Sequence, residues 1–158
     1  MTDCYPYRVA TAEGEVILIW RPGGGDDPDA LAVDGVGRLL AFHDLDALQD
    51  HCDRDGRCLV REGEAALDLA AVDRWVRHPG HEPVSAGLLL DAWNFFDDLS
   101  RSVDVGPPLP SRGSLQDVAY EKIFGGEART DEETAAVREL LRVGLQSWEQ
   151  AVNTSATG

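Results

Sequence analysis

Five consecutive apolar residues, Val16-Ile17-Leu18-Ile19-Trp20, constrain this chain more than any other feature. A run this short without polar alternation suits a strand covered on both faces of its sheet. It is far too short to span a bilayer, which takes about 20 apolar residues. Upstream, Tyr7-Arg8-Val9-Ala10 reads as a second strand, and Ala12-Glu13-Gly14-Glu15 between the two holds the glycine a hairpin turn wants. Past a Gly/Asp-rich loop over 22–28, Leu31-Ala32-Val33 and residues 36–42 flank Asp34-Gly35. That dipeptide favours a type I′ hairpin turn, which needs positive φ at both central positions. Gly37 marks a bulge. These segments predict about four antiparallel strands, and 57–61 adds a fifth, with Cys58 and Val60 on one face.

Helical patterning dominates the remainder. Asp44 caps a short helix whose apolar face is Leu45, Leu48 and Cys52, stopped near Asp55-Gly56. Residues 67–76 carry Leu69, Val72 and Val76 at helical spacing, with Pro79 as the stop. The clearest helix covers 84–103, with Leu88, Ala92, Phe95, Phe96, Leu99 and Val103 on one face. A Pro/Gly-rich connector over 105–113 follows. Ser114 and Asp117 form a capping pair before a helix bearing Leu115, Val118, Ala119 and Ile123, stopped at Gly125-Gly126. Thr130 and Glu133 form a capping box for a last helix bearing Val137, Leu141, Gly144, Leu145, Trp148 and Val152. Strands precede helices, so the expectation is one α+β domain over 1–152, its helices packed on one face of an antiparallel sheet, with a flexible tail over 153–158.

The chain's 158 residues contain 14 Lys+Arg against 29 Asp+Glu, a net charge of −15. That sign disfavours nucleic acid and anionic membrane as partners and favours a basic protein. Solubility alone is the competing explanation of the charge. Three cysteines and an N-terminus lacking basic and apolar export regions point to free thiols in a reducing cytoplasm.

Enzyme-like motifs are missing. His43, His51, Cys52 and Cys58 lie close in sequence, as do His78 and His81, but neither Cys-x-x-Cys nor His-x-x-x-His spacing occurs, so no metal and no cofactor are expected. Gly23-Gly24-Gly25 lacks the Lys and Ser/Thr of a phosphate loop and is followed by Asp26 and Asp27. No serine sits in a Gly-x-Ser-x-Gly elbow. The dense aspartates over 44–55 lack EF-hand spacing.

What stands out is the placement of acid. Residues 26–55 hold nine aspartates against Arg38 and Arg54. On the long helix, Asp91, Asn94 and Asp98 recur at i, i+3 and i+7 and share a polar stripe opposite the phenylalanines. Such a stripe is also the ordinary solvated side of an amphipathic helix. The candidate partner-binding residues are therefore Asp44, Asp46 and Asp50 in one segment and Asp91, Asn94 and Asp98 in another.

The stretch Leu88-Leu89-Leu90-Asp91-Ala92-Trp93-Asn94-Phe95-Phe96-Asp97-Asp98-Leu99, then Ala119-Tyr120-Glu121-Lys122-Ile123-Phe124-Gly125, after an Ile19-Trp20-Arg21 strand end, resembles small bacterial immunity proteins paired with secreted polymorphic or contact-dependent toxins. In that pattern Trp93, Phe96, Tyr120 and Phe124 pack the helices. The resemblance implies a cytoplasmic inhibitor, not an enzyme, that occludes a toxin domain, often a basic nuclease. The alternatives are a small enzyme with a carboxylate site and an acidic regulatory module that binds a basic host protein.

Overall fold

The computed structural model of the chain describes residues 3–21, 23, 26, 29–60, 65–78, 85–103, 114–125 and 130–155. Most of the loop over 22–28, the connector over 105–113, Leu115's side chain, Pro79, His81, Gly126 and residues 156–158 of the tail lie outside that set.

Strands β1 (Asp3–Thr11) and β2 (Gly14–Arg21) form the expected antiparallel hairpin, with Tyr5 opposite Trp20 and Thr11 opposite Gly14. Gly14 takes φ 135°, a conformation only glycine adopts without strain, directly after the turn. The Thr11 hydroxyl closes that turn, donating to the Gly14 carbonyl at 3.0 Å and accepting from the Glu13 amide at 3.2 Å. β3 (Ala30–Leu31) continues the sheet antiparallel on the far edge of β2. The next turn differs in type from the Asp34-Gly35 expectation. Gly37, not Gly35, carries the positive φ of 88°. The Asp34 amide donates to the Arg38 carbonyl, and Asp34 Oδ1 accepts from the amides of Val36 and Arg38. The loop thus spans three residues, Gly35 to Gly37, and places the bulge-type glycine last.

The other edge of β1 is taken in succession by two short strands, β4 (Cys58–Leu59) and β5 (Ala65–Asp68), both parallel to it. The sheet is therefore mixed where a wholly antiparallel one was expected. β5 also corrects the helix start near residue 67. Leu67 is buried while Ala66 and Asp68 are exposed, the period-two alternation of a strand. Asp68 then caps α2 (Leu69–Arg77) by accepting from the Ala71 amide at 3.0 Å.

Three further expectations hold with small shifts. α1 (Leu45–Arg54) is capped by Asp44, whose Oδ1 accepts from the Ala47 amide at 2.8 Å, and it buries Leu48 and Cys52. α3 (Ala86–Ser102) is capped by the Ser85 hydroxyl and buries Leu89, Ala92, Trp93, Phe95, Phe96 and Leu99; Leu88 is only half-buried. α5 (Asp131–Asn153) opens on the Thr130/Glu133 capping box, in which the Glu133 carboxylate also takes Lys122 at 2.6 Å from α4 (Ser114–Gly125).

Among the described residues, the buried apolar side chains form two clusters, one on each face of the sheet. Val9 and Leu18 point into the larger, with α2, α3, α4 and α5. Cys4, Ile17 and Ile19 point the other way, onto Leu48 and Cys52 of α1. Successive strand side chains alternate faces, so the run over 16–20 is covered on both sides, as its composition requires. The described helices are accordingly not all on one face: α1 packs on the second. At the α3–α5 crossing, Gly144 faces the Phe96 ring. A β-carbon built there would stand 2.8 Å from ring carbon Cε2 and closer still to Cγ and Cδ2. Only a glycine lets these helices approach so closely.

Candidate functional site

The polar stripe of α3 does not simply face solvent; part of it borders a pocket of about 200 Å³. Its lining joins Asp91, Asn94, Phe95 and Asp98 of α3 to Tyr7 of β1, Trp20 of β2, Leu31 of β3 and Asp29 just before it. Helical spacing puts 91, 94, 95 and 98 along one flank of α3. The hairpin register supplies the opposite wall, because Tyr5, Tyr7 and the cross-strand residue Trp20 share a sheet face.

The walls are fixed by packing. The Tyr7 ring stacks on Phe95 with centroids 5.4 Å apart and planes 9° from parallel. Phe95 meets Trp148 of α5 edge-on at 5.6 Å, and Tyr5 meets Trp20 in the same manner at 5.8 Å. One end is stitched by Ser102, whose hydroxyl accepts from the Leu31 amide at 2.8 Å and donates to the Asp98 carbonyl at 2.7 Å. This holds β3 against α3. Asp29 is set by its own bond, Oδ1 accepting from the Gly23 amide at 2.7 Å. Asn94 Oδ1 accepts from the Tyr120 hydroxyl at 3.2 Å, tying the rim to α4.

Crowding acid into this half-dry setting perturbs the groups that titrate there. The Asp98 carboxyl is pushed up to about 6, chiefly by burial; Arg101 opposes the shift, while Asp29 and Asp97 reinforce it. Arg101 nonetheless pairs with the Asp98 carboxylate from one helical turn on. The Tyr7 phenol is raised to about 12, first by burial and then by the charges of Asp91 and Asp98. A pocket with aromatic walls and a negative rim favours a cation over an anion or a neutral polar group.

Asp44, Asp46 and Asp50 are placed elsewhere. They belong to α1 on the opposite face of the sheet, so they do not join the pocket. Asp44 is occupied as a helix cap, and Asp46 lies in the first turn, where a negative charge suits the helix dipole. Sequence reasoning missed Tyr7, Trp20, Leu31 and Phe95 as pocket residues, and it counted Asp29 only as one acid among nine. The available signal was the strand alternation that puts Tyr5 and Tyr7 on one face.

The aromatic residues of the shared pattern divide. Trp93 and Phe96 are fully buried, and Tyr120 meets Trp93 edge-on at 5.1 Å. Phe124 is 74% exposed, contrary to its expected packing role. It falls at the last turn of α4, past the buried Ala119 and Ile123 that face the core.

All three cysteines are free thiols, with Cys4 and Cys52 buried together and Cys58 exposed. Burial is the main reason the Cys52 thiol is raised to about 12, with Cys4 beside it adding to the shift. A thiol so shifted is a poor nucleophile and ligand. Among the described residues, no three His, Cys, Asp or Glu side chains are arranged to hold a metal ion, and no helix is long and apolar enough to cross a membrane. No protein-family model matches the chain, and neither a curated protein nor a solved structure matches it.

Proposed function

We propose that this chain is an inhibitor-type binding protein of the cytoplasm that neutralises a basic protein domain, such as a toxin, by docking it on the α3 face. The carrying observation is the pocket in which Asp29, Asp91 and Asp98 border walls formed by Tyr7, Trp20 and Phe95. The net charge of −15 supports the same reading, since a negative surface steers a basic partner into encounter. So does the resemblance of the α3 and α4 segments to immunity proteins. Asp91, Asn94 and Asp98 are then the contact residues on α3, and Asp29 joins them. Asp44, Asp46 and Asp50 add to the general field without forming part of this surface.

A photo-crosslinking residue at position 94, compared with one at position 50, tests this in the full chain expressed in its host. Position 94 should capture one basic protein, and position 50 should not. The purified partner's toxic activity should then fall linearly to zero at one chain per partner. Capture only from position 50, or a captured protein whose activity the chain leaves intact, would overturn the proposal. A second reading, a small enzyme, draws on Asp98, because a carboxyl titrating near 6 suits a general acid. The same titration separates the two: an enzyme would inactivate its target at far below one equivalent.

A further inference from the structure

We propose that the pocket between α3 and the β1–β2 hairpin receives a single arginine side chain, whose guanidinium stacks against Tyr7 and Trp20 while Asp91 and Asp98 take its N–H groups. The inference rests on the docking surface proposed above and names the chemistry that surface recognises. Its basis is the shape and composition of the cavity.

A volume of about 200 Å³ is below the roughly 300–1,000 Å³ typical of sites for drug-sized ligands. It has room for one inserted side chain. The walls are flat and aromatic: Tyr7 is locked in a stack on Phe95, and Trp20 is held edge-on by Tyr5. Planar rings fixed in advance suit a planar cation, which stacks on them without further ordering. A guanidinium is also more weakly hydrated than an ammonium, so it loses less on entering a pocket partly lined by Leu31 and Phe95. Its five N–H donors spread in a rigid fork, and carboxylates on different turns of α3 present acceptors at separate points. Asp98, one of the lining residues, already accepts a guanidinium, that of Arg101. Asp29 and Asp97 place further negative charge near that pair and act on the Asp98 carboxyl in the sense opposite to Arg101. A lysine ammonium, strongly hydrated and without a plane to stack, satisfies fewer of these features.

The test titrates the intact chain with N-acetyl-arginine-N-methylamide and, separately, with the lysine analogue. Binding is followed by backbone amide resonances and by the Trp20 indole, the one tryptophan of four that is only half-buried. The arginine compound should give saturable shifts confined to Trp20, Asp29, Asp91 and Asp98, with the lysine compound weaker by about ten-fold or more. Asp91→Asn and Asp98→Asn should each remove most of the response, and Asp50→Asn on α1 should leave it unchanged. Asp91 is exposed, so its variant reports binding without a folding penalty. Equal response to arginine and lysine, shifts centred on α1, or no saturable shift would overturn the inference. If a captured basic partner still depended on Asp91 and Asp98 in that event, the docking surface would stand and only the arginine specificity would fall.

Discussion

Replacing Gly144 by alanine sets two effects of opposite sign against each other. In the interior of a helix, alanine is favoured over glycine by about 0.8–1 kcal/mol. Here the added methyl group meets three atoms of the Phe96 ring, all under 3.0 Å, where ordinary carbon contacts are about 3.5–4.0 Å. The ring cannot swing aside, since Phe96 is fully buried and tilted against Phe95 at 5.7 Å. Forcing extra volume into a filled core typically costs about 1–3 kcal/mol, and three such contacts put this site near the top of that range. Subtracting the propensity gain leaves about 2 kcal/mol of net destabilisation. Urea unfolding monitored by tryptophan fluorescence should show a lower midpoint with an unchanged slope, and Tm should fall by roughly 4–8 °C. Gly87→Ala in the first turn of α3, where only the Ser85 hydroxyl lies within 4 Å, should instead hold or raise stability. Combining Gly144→Ala with Phe96→Leu should cost less than the two changes summed, because the smaller side chain frees space for the methyl. A Gly144→Ala chain as stable as the parent, or more so, would refute the close-approach account.

Asp98→Asn should stabilise the fold at pH 7 and lose that advantage toward pH 4. The folded pKa of about 6 lies above the ordinary 3.8, so the native state binds the extra proton, and stability rises as pH falls through 6; urea midpoints at pH 7.5, 6 and 4 check the trend. Phe96→Ala should cost about 3–5 kcal/mol, whereas Phe124→Ala, at an exposed site, should stay within about 0.5 kcal/mol. Thermal melts of the two variants distinguish a core aromatic from a surface one.

Local signals were legible and long-range ones were not. The Asp44 cap, the Thr130/Glu133 box and the β1–β2 hairpin depend on residues a few positions apart, and each stands where its sequence placed it. β5 was hidden because it runs directly into α2 through Asp68, with no Gly or Pro to separate Leu67 from the helical spacing of Leu69, Val72 and Val76. Its parallel pairing with β1 joins segments far apart in the chain and leaves no local mark. The order of strands and helices suggested one covered face, yet the five-residue apolar run required two, and the run was the sounder guide because burial acts on each side chain directly. Three of the eight lining residues were readable, since Asp91, Asn94 and Asp98 follow helical spacing. Tyr7, Trp20, Asp29 and Leu31 come from β1, β2 and the approach to β3, which only the tertiary fold brings opposite α3.

The most direct test of the α3 face as the docking surface is the association rate of the captured partner at low and high salt. Two variants of equal charge change are compared: Asp91→Asn with Asp98→Asn, and Asp46→Asn with Asp50→Asn. The α3 pair should slow association, flatten its salt dependence and speed dissociation, because a charge pair desolvated at an interface centre typically contributes about 2–5 kcal/mol when one side is removed. The α1 pair should produce only a small loss in association rate at low salt, with dissociation unchanged. Equal effects from the two pairs, or wild-type kinetics in the α3 variant at both salt concentrations, would contradict the account.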